Sequence, residues 1–207
     1  MEVDMNSRAG RPSMAEAITL GLVATGAVSI AIGALVGTIG GAAEIFGSPV
    51  PVLLPVHDAP MSVLDRASGV ASASYTESIV SFEALDAGTR WLLLGERALP
   101  ALATIIVCMS LWWLGLSLIR QRAFRKSMAP VLGTAAIALV VAGMVGPFLG
   151  TIARAQAVEL LPASADQFYA FLYELDPAPI GWGIALALVV GAFEVGRRLQ
   201  LETEGLV

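Results

Sequence analysis

One histidine, one cysteine and a thin scatter of carboxylates make up most of the reactive inventory of this 207-residue chain. His57 stands beside Asp58 in a proline-rich stretch, a pairing that could join a metal site. No second histidine and no clustered carboxylates stand at ligand spacing around it, so His57 reads as a solvated loop residue. Cys108 lies inside an apolar run. A lone thiol makes neither an intrachain disulfide nor a cysteine-based metal site, and this one reads as a buried, inert side chain. An ionisable group inside a membrane is the strongest pointer to function, and the centres of the apolar runs carry none. Glu44 and Glu194 sit near run ends, and Glu194 has Arg197 and Arg198 three and four residues on, which reads as structural neutralisation. There is no Gly-rich phosphate loop, hydrolase elbow or pair of membrane carboxylates. The reading is therefore of a protein that is not an enzyme and has no catalytic residues, metal site or cofactor.

The elements around these residues are set by hydrophobicity. The chain is 57% hydrophobic and 14% charged, with a mean hydropathy of +0.78, against about a quarter charged in soluble domains. Four apolar runs, 18–39, 99–119, 131–152 and 180–198, approach or exceed the ~20 residues that cross a bilayer. The first follows a Ser13-Met-Ala-Glu16 capping box. It is too long for the ~7–15-residue core of a signal peptide and reads as a retained helix. Gly33 and Gly37 stand four apart on it, a spacing at which another helix of the same chain can approach closely. Pro100 suits the first turn of the second span. Gly143, Gly146, Pro147 and Gly150 are expected to kink or loosen the third. The fourth, Ile180–Val195, is short and must run on through Arg197 and Arg198 to span.

Two longer intervals separate the spans. In 47–98, the prolines of Ser48–Val56 argue for an extended edge segment. Alternating polar and apolar residues between Val70 and Phe82 argue for a half-exposed strand. The two could pair into a small antiparallel cap. In 153–179, Ser164-Ala-Asp-Gln opens like a capping box, and Phe168, Phe171, Leu172 and Leu175 fall on one helical face. This predicts a short amphipathic helix ended by Asp176-Pro177. The expected fold class is thus an all-α membrane protein. Four transmembrane helices form a single domain over 13–207, behind a disordered tail at 1–12, with a small extracytoplasmic cap of short β-strands and one amphipathic helix.

Of the twelve lysines and arginines, eight lie in the N-terminal tail, the turn between the second and third spans, and the segment after the fourth. Positive residues in short loops mark the cytoplasmic side. Both termini are therefore expected in the cytosol of a multi-pass plasma-membrane protein. That cytosolic face carries Arg120, Arg122, Phe124, Arg125 and Lys126 in the middle turn. Basic residues there are worth about 1 kcal/mol each against anionic lipid, or serve simply as topology determinants. The tail, with Arg197, Arg198, Glu202, Glu204, Leu206 and Val207, could fold against its own helix ends or dock a partner, and Gly205 would allow the turn that ends the helix.

Phe193, Gly196, Leu199 and the ending Thr203-Glu-Gly-Leu-Val207 resemble the terminus of the YoaS-like proteins, small four-span bacterial membrane proteins catalogued as a domain of unknown function. Thr89-Arg-Trp-Leu-Leu-Leu, followed by Leu99-Pro100, is similar to that family's approach to its second span. In the basic turn, where such proteins often carry Gly-x-Pro-Phe, this chain has Arg122-Ala-Phe124. The likeness covers roughly Thr89 to Val207. It implies partnership with a small helix-turn-helix regulator encoded nearby, and it supplies no catalytic residue. The function expected is a membrane-embedded interaction or sensory partner of such a regulator, with the lipid bilayer as its other partner and no direct nucleic-acid binding. The alternative is a small permease or transporter accessory subunit, for which the spans offer a polar path made only of hydroxyls at Thr25, Ser29, Thr38, Thr104, Ser110, Ser117 and Thr134.

Overall fold

Each of the four apolar runs is the middle of a longer helix. The computed structural model describes residues 14–60, 73–119, 128–161 and 165–204. In chain order it has helix α1 (Met14–Phe46), strands β1 (Val50–Pro60) and β2 (Ser74–Phe82), and helices α2 (Ala87–Ile119), α3 (Met128–Glu159) and α4 (Pro177–Glu204). All four helices are long and apolar enough to cross a membrane. Ser13 of the expected capping box lies outside the described residues.

The helix bounds correct the sequence reading at three places. α2 begins at Ala87, not at Leu99, so Pro100 sits in its interior. A proline there removes one backbone hydrogen bond, a cost of about 3 kcal/mol in an ordinary helix. The start is fixed upstream by Asp86, whose carboxylate accepts from the Thr89 amide at 3.1 Å as an N-cap does. α3 runs unbroken from Met128 through Pro147 to Glu159, so Arg154 belongs to a helix and not to a loop. Among the described residues the expected amphipathic helix is absent. Ala165–Gln167 forms one 3-10 turn and the chain from Phe168 to Asp176 is extended or irregular. Its backbone bonds elsewhere: Phe168 bridges to Val56, and the Tyr169 amide donates to the Pro55 carbonyl at 3.1 Å. Pro177 then starts α4 instead of stopping a helix, as its fixed φ and missing N–H favour at a first helical position.

Contacts divide the chain into two units. The first comprises Met1–Val36, Pro100–Gly143 and Pro177–Val207. Within it α3 and α4 meet backbone to backbone at glycines. A Cβ on Gly183 would stand 2.7 Å from Val140 Cγ2 and 2.9 Å from the Ala136 carbonyl oxygen, and one on Gly143 would stand 3.1 Å from Pro179 Cβ. Small side chains on α3 (Ala135, Ala136 and Ala142) are buried, as are Ala103 and Cys108 of α2. The hydroxyls of Thr25, Ser29, Thr104, Ser110 and Thr134 each donate to the carbonyl four residues back. They satisfy themselves locally, which leaves little to line a polar path. α1 is the least enclosed helix of the first three: 6% of its apolar stretch is buried within the chain, against 39% for α3. Gly33 and Gly37, expected to seat a neighbouring helix, have nothing within 4 Å among the described residues.

The second unit comprises Gly37–Leu99 and Met144–Asp176. Its two strands pair antiparallel, Val50 opposite Phe82 and Leu53 opposite Ile79, with a register shift between Pro55 and Ala59. The expected pairing of the two extended stretches is therefore present. Along β1, Val50, Val52, Leu54 and Val56 are buried while Leu53 is exposed, the period-two alternation of a half-buried strand. Val50, Val52 and Leu54 of that row pack with Phe82, Leu85, Leu93, Ala153 and Ala157 in one apolar core.

Gly183→Val therefore forces α3 and α4 apart and should cost about 1–3 kcal/mol, the range for overpacked sites. Gly26→Val, on open space in α1, should change stability by under about 0.5 kcal/mol. Apparent melting temperatures in detergent distinguish the two.

Candidate functional site

The polar chemistry of the described chain collects on the first turns of α2, within the second unit. Asp86 caps the helix. Its carboxylate accepts from both the amide and the hydroxyl of Thr89, and these bonds hold it below the usual value of 3.8. Thr89 is 1% exposed, and its hydroxyl lies 2.8 Å from the side-chain amide of Gln156 on α3. A hydroxyl has one proton. Donated to Asp86, it leaves the oxygen's lone pairs for the Gln156 amide, whose oxygen and nitrogen are distinguished only by such a network. Arg90, the next residue, turns to α1. Its Nη1 donates to the carbonyls of Gly47 at 3.0 Å and Ile45 at 3.3 Å, and its Nε to that of Leu85 at 3.2 Å. The carbonyls at the end of α1 are thus satisfied by an arginine from another helix.

Two turns later the pattern repeats with charge. Glu96 and Arg97 are adjacent and reach to different helices. The Arg154 Nη1 donates to Glu96 Oε1 at 2.8 Å, with both side chains about a quarter exposed. Arg97 Nη1 donates to Glu44 Oε2 at 3.2 Å, and that pair is about half exposed. Each pair lies on a glycine. A Cβ on Gly150 would collide with the Glu96 carboxylate, and one on Gly41 would stand 2.8 Å from Arg97 Nη1. The missing side chains are what let the charged groups lie flat along α3 and α1.

Beside the Glu96–Arg154 pair is a cavity of about 250 Å³. Its charged lining is Glu77 of β2, Glu96, Arg154 and Glu174, and its apolar walls include Leu53, Pro55 and Leu172. Pro55, Glu77, Leu172 and Glu174 also line an adjoining space of about 320 Å³ that includes Tyr169. The wall at 168–176 is fixed by its own contacts. Thr151, buried on α3, shares its one hydroxyl proton between the carbonyls of Pro147 at 2.9 Å and Leu172 at 3.2 Å. The Tyr173 hydroxyl donates to the Met144 carbonyl at 3.1 Å. His57, on β1 and not in a loop, sets its ring at a tilt against Tyr169 with centroids 3.8 Å apart, so this exposed histidine borders the second space. Among the described residues no three His, Cys, Asp or Glu side chains stand close enough to hold a metal ion.

The residues singled out from sequence fall elsewhere. Arg120, Arg122, Phe124, Arg125, Lys126, Gly205, Leu206 and Val207 lie outside the described residues. Arg197, Glu202 and Glu204 lie in the last turns of α4. Arg198, also there, is exposed, its Nε 3.8 Å from Glu194 Oε1 in the expected i,i+4 pair. Cys108 is buried, as expected. Sequence reasoning missed Glu96, Arg154, Thr89 and Gln156 because it placed them in loops. The available signal was Asp86-Ala-Gly-Thr89, an Asp N-cap with Thr at the third helical position, which starts the helix early enough to carry the charges. No family profile, no curated protein and no solved structure matches the chain.

Replacing Arg154 with Met strands the Glu96 carboxylate and should cost about 1.5–3 kcal/mol, the scale of a hydrogen bond to a charged group. The Glu96→Gln/Arg154→Met double variant should recover part of that loss in a double-mutant cycle read by thermal denaturation. At Asp86 the depressed pKa means that the cap contributes fully above 3.8 and is lost as pH falls below that value through the lower folded one. Hydrogen-exchange protection of the Thr89 amide should drop in that acid range in the native chain. In Asp86→Ala it should be weak at every pH.

Proposed function

We propose that this is a multi-pass membrane protein that works by binding, as a sensory or tethering partner of a small cytosolic helix-turn-helix regulator. Apolar side chains turned outward, among them Leu22, Trp182 and Leu188, each about 70% exposed, are stable only against lipid or a further protein surface. α2 is 33 residues long, about 50 Å at 1.5 Å per residue, against a hydrocarbon core of about 30 Å. Roughly the first third of α2, which carries Thr89 to Arg97, then stands at or beyond the hydrocarbon edge. There its ion pairs need not be held in lipid. The bias of basic residues toward the tails and the middle turn puts both termini in the cytosol on this reading. β1 and β2 then stand on the opposite side.

The observation that carries the binding reading is how the charged groups are used. The charged side chains described on α2 are engaged in holding α1, α2 and α3 together. The cavity beside them is walled by fixed elements, and its described lining combines carboxylates and one arginine with apolar side chains, which supports a receptor site. A regulator docked on the cytosolic basic turn and tail would be the output of that site.

The reading is tested by co-purification from mild detergent with any small helix-turn-helix protein whose gene neighbours this one. Deletion of Glu202–Val207 should leave membrane insertion intact and abolish capture of that protein. Capture undiminished by the deletion would reduce the tail to a helix end, and no complex with the full chain would overturn the partnership.

A further inference from the structure

The cavity beside Glu96 and Arg154 carries an unbalanced charge. Arg154 is matched by Glu96 at 2.8 Å, so the pair is neutral as a unit. Glu77, from β2, and Glu174, from the segment before α4, line the same space, and neither has an ion-pair partner among the described residues. Both also line the adjoining space with Tyr169. Both glutamates are exposed, and an anion entering here would meet two carboxylates with no ion-pair partner among the described residues and an arginine already occupied. A metal ion would need donors converging on one point, and no such group stands among the described residues. What remains matched to the walls is a cation with extent, its charge near the carboxylates and its body against Leu53, Pro55 and Leu172.

We propose that this cavity binds a small organic cation, an ammonium group on a short apolar body. The inference rests on the binding reading above and names the ligand class of that site. An ammonium presents up to three donors, and hydrogen bonds in which both partners are charged are the stronger kind. In the adjoining space Tyr169, whose ring also packs against His57, adds an aromatic surface against which part of a cation can rest. The space, about 250 Å³, is smaller than the ~300–1,000 Å³ typical of drug-sized sites, which suits an amine of a few carbons. The same ammonium chemistry is carried by free amines and by aminophospholipid headgroups.

The test uses the full chain in phosphatidylcholine nanodiscs, titrated with butylamine, butyrate and butanol and followed by calorimetry and thermal shift. Butylamine should bind saturably and raise the melting temperature, and the other two should not. The isosteric double variant Glu77→Gln/Glu174→Gln should weaken butylamine binding at least tenfold. Its unliganded melting temperature should match the native chain, since neither carboxylate holds an ion pair that the fold needs. No saturable amine binding, equal binding of butyrate or butanol, or an undiminished affinity in the double variant would overturn the proposal. Repeating the titration with phosphatidylethanolamine added assigns the source. Competition by that lipid points to a headgroup and its absence to a free amine, and both results support a cation site. Loss of amine binding with tail-dependent regulator capture intact would remove the ligand class alone. The converse would remove the regulator alone.

Discussion

Two neighbouring residues with opposite charges, Glu96 and Arg97, reach from α2 to different helices, and the second unit depends on them. Glu96 is met by Arg154 of α3 and Arg97 by Glu44 of α1. One turn pair earlier, Thr89 and Arg90 make the same division without a second charge, toward Gln156 and toward the last carbonyls of α1. Taking a charged pair out of water costs about as much as the pair returns, so these contacts add little net stability. What they supply is register. A slide of α2 by one residue against α1 would separate both Arg90 and Arg97 from their partners, and one against α3 would separate both Thr89 and Glu96.

The sheet uses that fixed frame. β1 and β2 alone would be a marginal hairpin. They hold because Val50, Val52, Leu54 and Phe82 share a core with Leu93, Ala153 and Ala157, on the same stretches of α2 and α3 that the ion pair aligns. The segment from Phe168 to Asp176 is drawn in as well, bonded to β1 at Pro55 and to α3 at Thr151 and Met144. Cavity walls from five separate stretches of the chain are therefore positioned by one polar network and one small core.

Much of the fold was legible in the sequence because lipid-length apolar runs and period-two alternation are strong signals. Four helices and two paired strands followed from them. The cavity and its charges were not legible, for physical reasons that particular residues make plain. Pro100 reads as the first turn of a helix, and in this chain Asp86 and the tertiary partners of Thr89, Arg90, Glu96 and Arg97 start α2 well before it. Phe168–Leu175 has a helical period, but its backbone groups find better partners on β1 and α3 than in a helix of its own. Periodicity reports what one segment would do alone. It is silent where a neighbour supplies the hydrogen bonds.

Gly150 and Gly41 carry a consequence in genetic terms. The Glu96 carboxylate fills the place a side chain would take at Gly150, and the Arg97 guanidinium crowds that place at Gly41. Every amino acid that a single-base change can substitute for glycine carries a Cβ. Any missense change at these two codons is therefore an electrostatic lesion in disguise, displacing a charge on α2 without altering a charged residue, and a scan confined to ionisable positions would pass over the glycines that hold them.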